Sequence, residues 1–320
     1  MKHPILIAAA SGVMAMLLAI LGLMPGTGTR EAPRQMIALV LDTDIGLNSA
    51  TIAEGAHLAA SEYRVDLKVN ALSGTDDPEI QLDMIRSSLE DGASAVLLVP
   101  ANGKIMGEAI RLCERQGAKL VLLDACEAER GNVPYVGTNH MVSGMDAAET
   151  LLRISGSKKM LILYTEDKTC VERLKGARLM AEGKGVLAVA HRITMRGKQP
   201  NADSVRKHIL EYPDADAILC LDGPLTECAA EAVNAMSRKG KVTLAGFDCD
   251  QTYISCLEDG SVRFTVLKKP LAVGYEGLRR AVELLTWNVD IPVKYVNAAV
   301  VMREDILKPE NVRLLFPLIN

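Results

Sequence analysis

From Met36 onward the chain alternates short apolar runs with segments of helical periodicity, and no other feature restricts its fold so tightly. The runs are MIALVLD (36–42), VDLKVNAL (65–72), SAVLLVP (94–100) and AKLVLLDA (118–125). A second series follows: KKMLILYT (158–165), GVLAVAHRIT (185–194), ADAILCLD (215–222) and GKVTLAGFD (240–248). The first is a short apolar run suited to a buried parallel strand, and the others follow it as further strands. Between the first two runs, Ile52, Ala56, Ala59 and Ala60 recur at helical spacing. The next connecting segment, TDDPEIQLDMIRSSLEDG, offers Asp76 or Asp77 as a cap, Pro78 in the first turn and Gly92 as a stop. Strand–helix alternation implies right-handed βαβ crossovers. Two such series, separated by VPYVGTNH (133–140), predict an α/β chain of two doubly wound parallel-sheet lobes.

The 320 residues exceed one ordinary core and suit two lobes of about 100–150 residues each. Aromatic residues make up only 3% of the chain, so the core must be built from Leu, Val, Ile, Ala and Met. The formal net charge of −4 and the lack of any basic run argue against a nucleic-acid partner.

Residues 1–35 differ from the rest. Lys2 precedes an uncharged run from Ile5 to Met24, and a polar stretch rich in Gly and Pro (25–35) separates it from the first strand. Twenty helical residues span ~30 Å, enough for a bilayer core. Either residues 1–28 are a retained signal anchor or they are a cleaved signal peptide, with 29–35 as linker. No A-x-A cleavage site follows the run, and no cysteine precedes Cys113, which excludes a lipobox. Both readings place the remainder outside the cytoplasm, at the cell surface or in the periplasm.

In open α/β sheets ligands bind beyond the carboxyl ends of the strands. Acidic and amide residues recur there, at Asp42–Ser49, Asp124, Thr138–Asn139, Asp222 and Asp248, and such groups suit hydrogen bonding to hydroxyls. No G-x-G-x-x-G, Walker A or G-x-S-x-G sequence occurs, and no nucleophile–base pairing is readable. The seven cysteines form no C-x-x-C pair and match no zinc spacing; they read as buried free thiols or, in an exported chain, as a disulfide source. Neither a metal nor a cofactor is implied.

Six segments, in order, resemble the type I periplasmic binding proteins, of the ribose-binding kind found in sugar ABC transporters. They are IALVLDTDIGLNSATIAEGAHLAASEY, VLLVPANGKIMGEAIRLCERQGAKLVLLDA, VPYVGTNHMVSGMDAAETL, ERLKGARL, ADAILCLDGPLTECAAEAV and VTLAGFDCD, and the resemblance as a whole covers about 36–305. The resemblance implies two lobes joined by a three-crossing hinge: 36–138 with 269–296, and 139–268 with 297–320. It also implies ligand contacts from Asp124, Arg173, Asp222 and Asp248, with Asn48, Ser49, Asn139 and Lys268 at neighbouring family positions. Departures from the family pattern stand beside the matches. Gly46, Asn48 and Ser49 occupy the places of an Asn and two stacking aromatics, Ala125 that of an Arg, Val99 that of an Asn, and Lys268 that of a Gln. A pyranose would lack its aromatic platform on the first lobe.

Each candidate also has a plain structural reading. Asp124 and Asp248 could cap turns, and Asp222 could cap the helix starting near Pro224. Arg173 and Lys268 could be solvated, and Asn48 and Ser49 could be turn residues. The function implied is a solute receptor, not an enzyme, taking a sugar or polyol, with an acidic sugar derivative second. Its partner would be an ABC transporter permease or a membrane sensor kinase. The alternatives are an enzyme on a doubly wound fold and a regulator of the lactose-repressor type. The latter needs a helix-turn-helix where the hydrophobic run stands.

Overall fold

The computed structural model describes residues 34–42, 47–72, 77–101, 103–124, 132–197, 199–248, 251–287 and 293–316. The run Ile5–Met24 and the positions Gly46, Asn102 and Ala125 lie outside these. Met36–Asn320 forms one compact unit.

The first series runs β1 (Met36–Leu41), α1 (Leu47–Tyr63), β2 (Asp66–Ala71), α2 (Pro78–Glu90), β3 (Ala95–Leu98), α3 (Met106–Gln116), β4 (Lys119–Leu123) and β5 (Tyr135–Gly137). The second runs α4 (His140–Ser155), β6 (Lys159–Tyr164), α5 (Lys168–Gly183), β7 (Leu187–Arg192), β8 (Met195–Arg196), β9 (Gln199–Pro200), α6 (Ala202–Glu211), β10 (Ala217–Cys220), α7 (Gly223–Ala235), β11 (Thr243–Phe247), α8 (Gln251–Glu258) and β12 (Phe264–Leu267). The chain closes with α9 (Pro270–Trp287), β13 (Val293–Tyr295), β14 (Ala299–Met302) and α10 (Pro309–Leu315).

Two six-stranded sheets result, ordered β13-β5-β4-β3-β1-β2 and β14-β12-β11-β10-β6-β7. The first is parallel throughout, whereas β14 joins the second antiparallel to β12. The chain passes between the sheets three times: after β5 into α4, after β12 into α9, and between β13 and β14. Each sheet with its helices is one lobe of the doubly wound fold. β1 (Ile37–Val40), β3, β10 and β12 are buried along their lengths, as their apolar runs require. Ile52, Ala56, Ala59 and Ala60, the predicted inner face of α1, are all buried. Asp77 caps α2 by accepting from the Glu79 amide at 3.0 Å, with Pro78 following, and Gly92 has φ +93° beyond its end.

Candidate functional site

The ends of two equivalent strands set the geometry. Asp124 follows β4 and Asp248 follows β11, and both have left-handed backbones, with φ 46° and 58°. A non-glycine residue is uncommon there and is held only where its surroundings over-determine it. Both amides are tied to the next strand: Asp124 donates to the Val136 carbonyl at 2.9 Å and Asp248 to that of Val266 at 3.0 Å. The kink turns each carboxylate out of its sheet at the carboxyl edge, where a doubly wound fold places its ligand.

Each carboxylate has a cation. Lys268, just past β12, donates from Nζ to Asp124 Oδ2 at 2.8 Å, so this ion pair joins an end of the first sheet to an end of the second. Arg173 on α5 donates from one Nη to Asp248 Oδ2 at 3.1 Å and to the Leu221 carbonyl at 2.7 Å. Its guanidinium lies over the Phe247 ring, 4.2 Å from the centroid. Arg173 is only 2% exposed, which rules out the solvated-helix reading: its charge is buried and paired. Burial alone would raise the Asp248 carboxyl, but Arg173, with Lys268 behind it, holds it below the ordinary aspartate range. Asp124 in turn raises the Lys268 ammonium against the effect of burial.

Asp222 takes the capping role. Its Oδ1 accepts from the Leu225 amide at 2.8 Å, while Oδ2 receives the Thr165 hydroxyl at 3.2 Å and the Cys170 thiol at 3.4 Å. Burial raises its carboxyl. The same burial, with Asp222 adjacent, pushes the Cys170 thiol up to about 12, so this cysteine is inert. Among the described cysteines, Cys113, Cys170, Cys220, Cys228 and Cys256 are all free thiols.

Asn139 caps α4, accepting from the Val142 amide at 3.0 Å. Ser49 is buried and donates to Asp42 Oδ1 at 3.0 Å, while Asn48 is exposed in the first turn of α1. The structure therefore gathers Asp124, Arg173, Asp248 and Lys268 into one cluster, with Asp222 at its margin, and ties Asn139 and Ser49 into local turns. Sequence reasoning missed His140. It begins α4 on the first crossing, where burial and then Arg173 drive its pKa down to about 4, with Lys268 acting the same way and Asp124 and Asp248 opposing. A lone histidine after a capping Asn carries no pattern that would have singled it out.

Four buried side-chain atoms around this cluster have no hydrogen-bond partner among the described residues: Asp124 Oδ1, Thr138 Oγ1, His140 Nδ1 and Arg173 Nε. Buried polar atoms are nearly always satisfied. No group of three or more His, Cys, Asp or Glu among the described residues could hold a metal ion.

Two doubly wound lobes, crossed three times, with converging polar groups at the facing strand ends, make a solute receptor of the two-lobed binding-protein class. The chain belongs to the periplasmic binding protein domain family, whose model matches residues 43–288. It is 23% identical over 291 residues to the D-ribose/D-allose-binding protein of Pseudomonas aeruginosa, covering 84% of this chain and 90% of the relative. Its fold is similar to that of the periplasmic ribose ABC transporter protein of Conexibacter woesei, with a TM-score of 0.77 and 17% identity, over 88% of this chain and 95% of that one. It is also similar to a chain in a mutant XylFII–LytSN complex, with a TM-score of 0.73 and 18% identity, over 86% of this chain and 100% of that one. The family is one of extracytoplasmic binding proteins, not enzymes.

Proposed function

We propose that this chain is a receptor that closes its two lobes, 36–138 with 269–296 and 139–268 with 297–320, around a neutral sugar or polyol. Asp124 would enter from the first lobe and Arg173, Asp248 and Lys268 from the second. The observation that carries this reading is the convergence of two ion pairs and four unsatisfied buried polar atoms at the facing strand ends. Both carboxylates already have cations, so an anionic ligand would find no uncompensated positive charge. That ranks a neutral polyhydroxylated molecule ahead of an acidic sugar derivative. The names of the relatives, which bind ribose and allose, support the same choice.

Delivery to an ABC transporter is supported by the named transport role of its structural neighbour. Signalling to a membrane partner is supported by the occurrence of this fold in the XylFII–LytSN complex. The uncharged run Ile5–Met24 supports a membrane tether. Among the described residues no helix is long and apolar enough to cross a membrane. N-terminal sequencing of the exported protein separates the fates of the run: a mature chain starting near Thr29 ends the tether reading.

Mass spectrometry of small molecules co-purifying with the chain under native conditions tests the ligand class. A neutral polyhydroxylated compound is expected, and a stoichiometric acid or amino acid would contradict it.

A further inference from the structure

We infer that His140 and Thr138, on the first interlobe crossing, are ligand-reading residues that together with Asp124 select a vicinal diol. The inference rests on the proposed cleft and adds to it two residues and the stereochemical element they read.

The unsatisfied atoms can be matched as donors and acceptors. Lys268 occupies Asp124 Oδ2, which leaves Oδ1 as one acceptor in need of a donor. Arg173 spends an Nη on Leu221 and Asp248, which leaves its Nε–H as one donor in need of an acceptor. Thr138 Oγ1 and His140 Nδ1 can each act in either sense. An anion would satisfy Arg173 but repel Asp124, and an ammonium would do the reverse. Two adjacent hydroxyls answer the whole set, because each donates once and accepts up to twice.

His140 is placed for this by charge as well as by position. The ionisable groups around it are Asp124 beyond β4, Arg173 on α5, Asp248 beyond β11 and Lys268 beyond β12, two cations and two carboxylates. Burial, and then Arg173, hold its pKa down to about 4, so the imidazole is neutral at physiological pH and can both give and take a hydrogen bond. Its neighbour Asn139 spends its side-chain oxygen on the α4 cap, so the cap holds the crossing while His140 Nδ1 stays unengaged. Thr138 is only 3% exposed, so its hydroxyl cannot turn to bulk water.

The test crosses side-chain truncation with hydroxyl removal. D-ribose, D-allose, ribitol and the monodeoxy analogues of the two sugars are titrated calorimetrically into the full-length chain and into His140→Ala, His140→Asn and Thr138→Val. The parent should bind at least one of the intact compounds. His140→Ala and Thr138→Val should each weaken that compound by roughly tenfold, the usual consequence of stranding a buried polar partner. For one particular deoxy analogue, already weaker with the parent chain, the variants should cause no further loss, because the hydroxyl they read is gone. His140→Asn, which keeps a polar group and suits the start of α4, should recover part of the affinity. If the parent binds one of the intact compounds but the variants lose nothing, or lose the same factor with every analogue, the reading role of His140 and Thr138 is overturned while the receptor assignment stands. If the parent chain binds none of the intact compounds, the neutral-polyol reading itself fails, and the inference with it.

Discussion

The two lobes share one frame and carry unequal chemistry. In the first, α1 and α9 cross so closely that a Cβ on Gly55 would collide with the Leu271 carbonyl, and one on Gly274 with the Ile52 carbonyl. In the second, α5 and α4 repeat the crossing: Gly176 meets the Met141 carbonyl and Gly144 that of Arg173. The correspondence places Ile52 and Arg173 in the same slot of the two lobes. One is an apolar core residue and the other a buried guanidinium. Asp124 and Asp248 are matched in the same way, by their strand ends, positive φ and amide bonds. Backbone geometry is thus held in common while the side chain in the shared slot differs. The first lobe contributes one carboxylate to the cluster. The second contributes Arg173, Asp248, Lys268 and the His140 imidazole. Under the proposed function, most of the grip would belong to the second lobe, with the first lobe closing Asp124 onto it.

The largest effects should break the shared frame equally in both lobes. Gly176→Val and Gly55→Val each force a side chain into a neighbouring helix backbone and should cost about 3 kcal/mol in urea unfolding. A large loss at one and none at the other would end the equivalence. The slot itself should then separate the lobes. Arg173→Met should cost about 2 kcal/mol, less than a fully buried stranded charge because Asp248 keeps 34% of its side chain in solvent. Ile52→Val should cost about 1 kcal/mol.

Acid should act on the second lobe. The folded pKa of His140 is about 4, against about 6.5 in an unfolded chain. As pH falls between those values the unfolded chain takes up a proton that the folded one refuses, so stability present above pH 6.5 is lost toward pH 4. The depressed Asp248 acts in the same direction at lower pH, its contribution lost as pH falls through its folded value. Melting temperature followed from pH 7 to 4 should decline, and His140→Asn should flatten the decline. An unchanged slope would sink the assignment. Lys268→Gln keeps a hydrogen-bond donor for Asp124 but removes the charge paired with a carboxylate only 11% exposed, so it should also cost about 2 kcal/mol, with a more open ligand-free chain by small-angle scattering. Asn48→Ala, exposed and outside the cluster, should fall within about 0.5 kcal/mol.

The frame was legible in the sequence because strands buried on both faces announce themselves as apolar runs, and caps such as Asp77–Pro78 are local. The short β8–β9 hairpin was not, since two-residue strands carry no period to read. At the site, Asp124, Arg173 and Asp248 were found through their places after strands and in a family pattern. Their bonding was beyond reach: Lys268 and Asp124 lie 144 residues apart, and only the third dimension pairs them. Reading Asp248 as a ligand group or a turn cap missed its service as counterion to a buried arginine. His140 was overlooked because its depressed pKa comes from burial and from four charges on four other elements, none of them legible around one histidine in the sequence.

The most direct test of the division between grip and closure is calorimetric titration of D-ribose and D-allose into the parent chain, Asp248→Asn and Asp124→Asn. The account predicts binding of at least one sugar, weakened roughly tenfold to a hundredfold by Asp248→Asn and less by Asp124→Asn. Equal affinity in the parent and Asp248→Asn would contradict it.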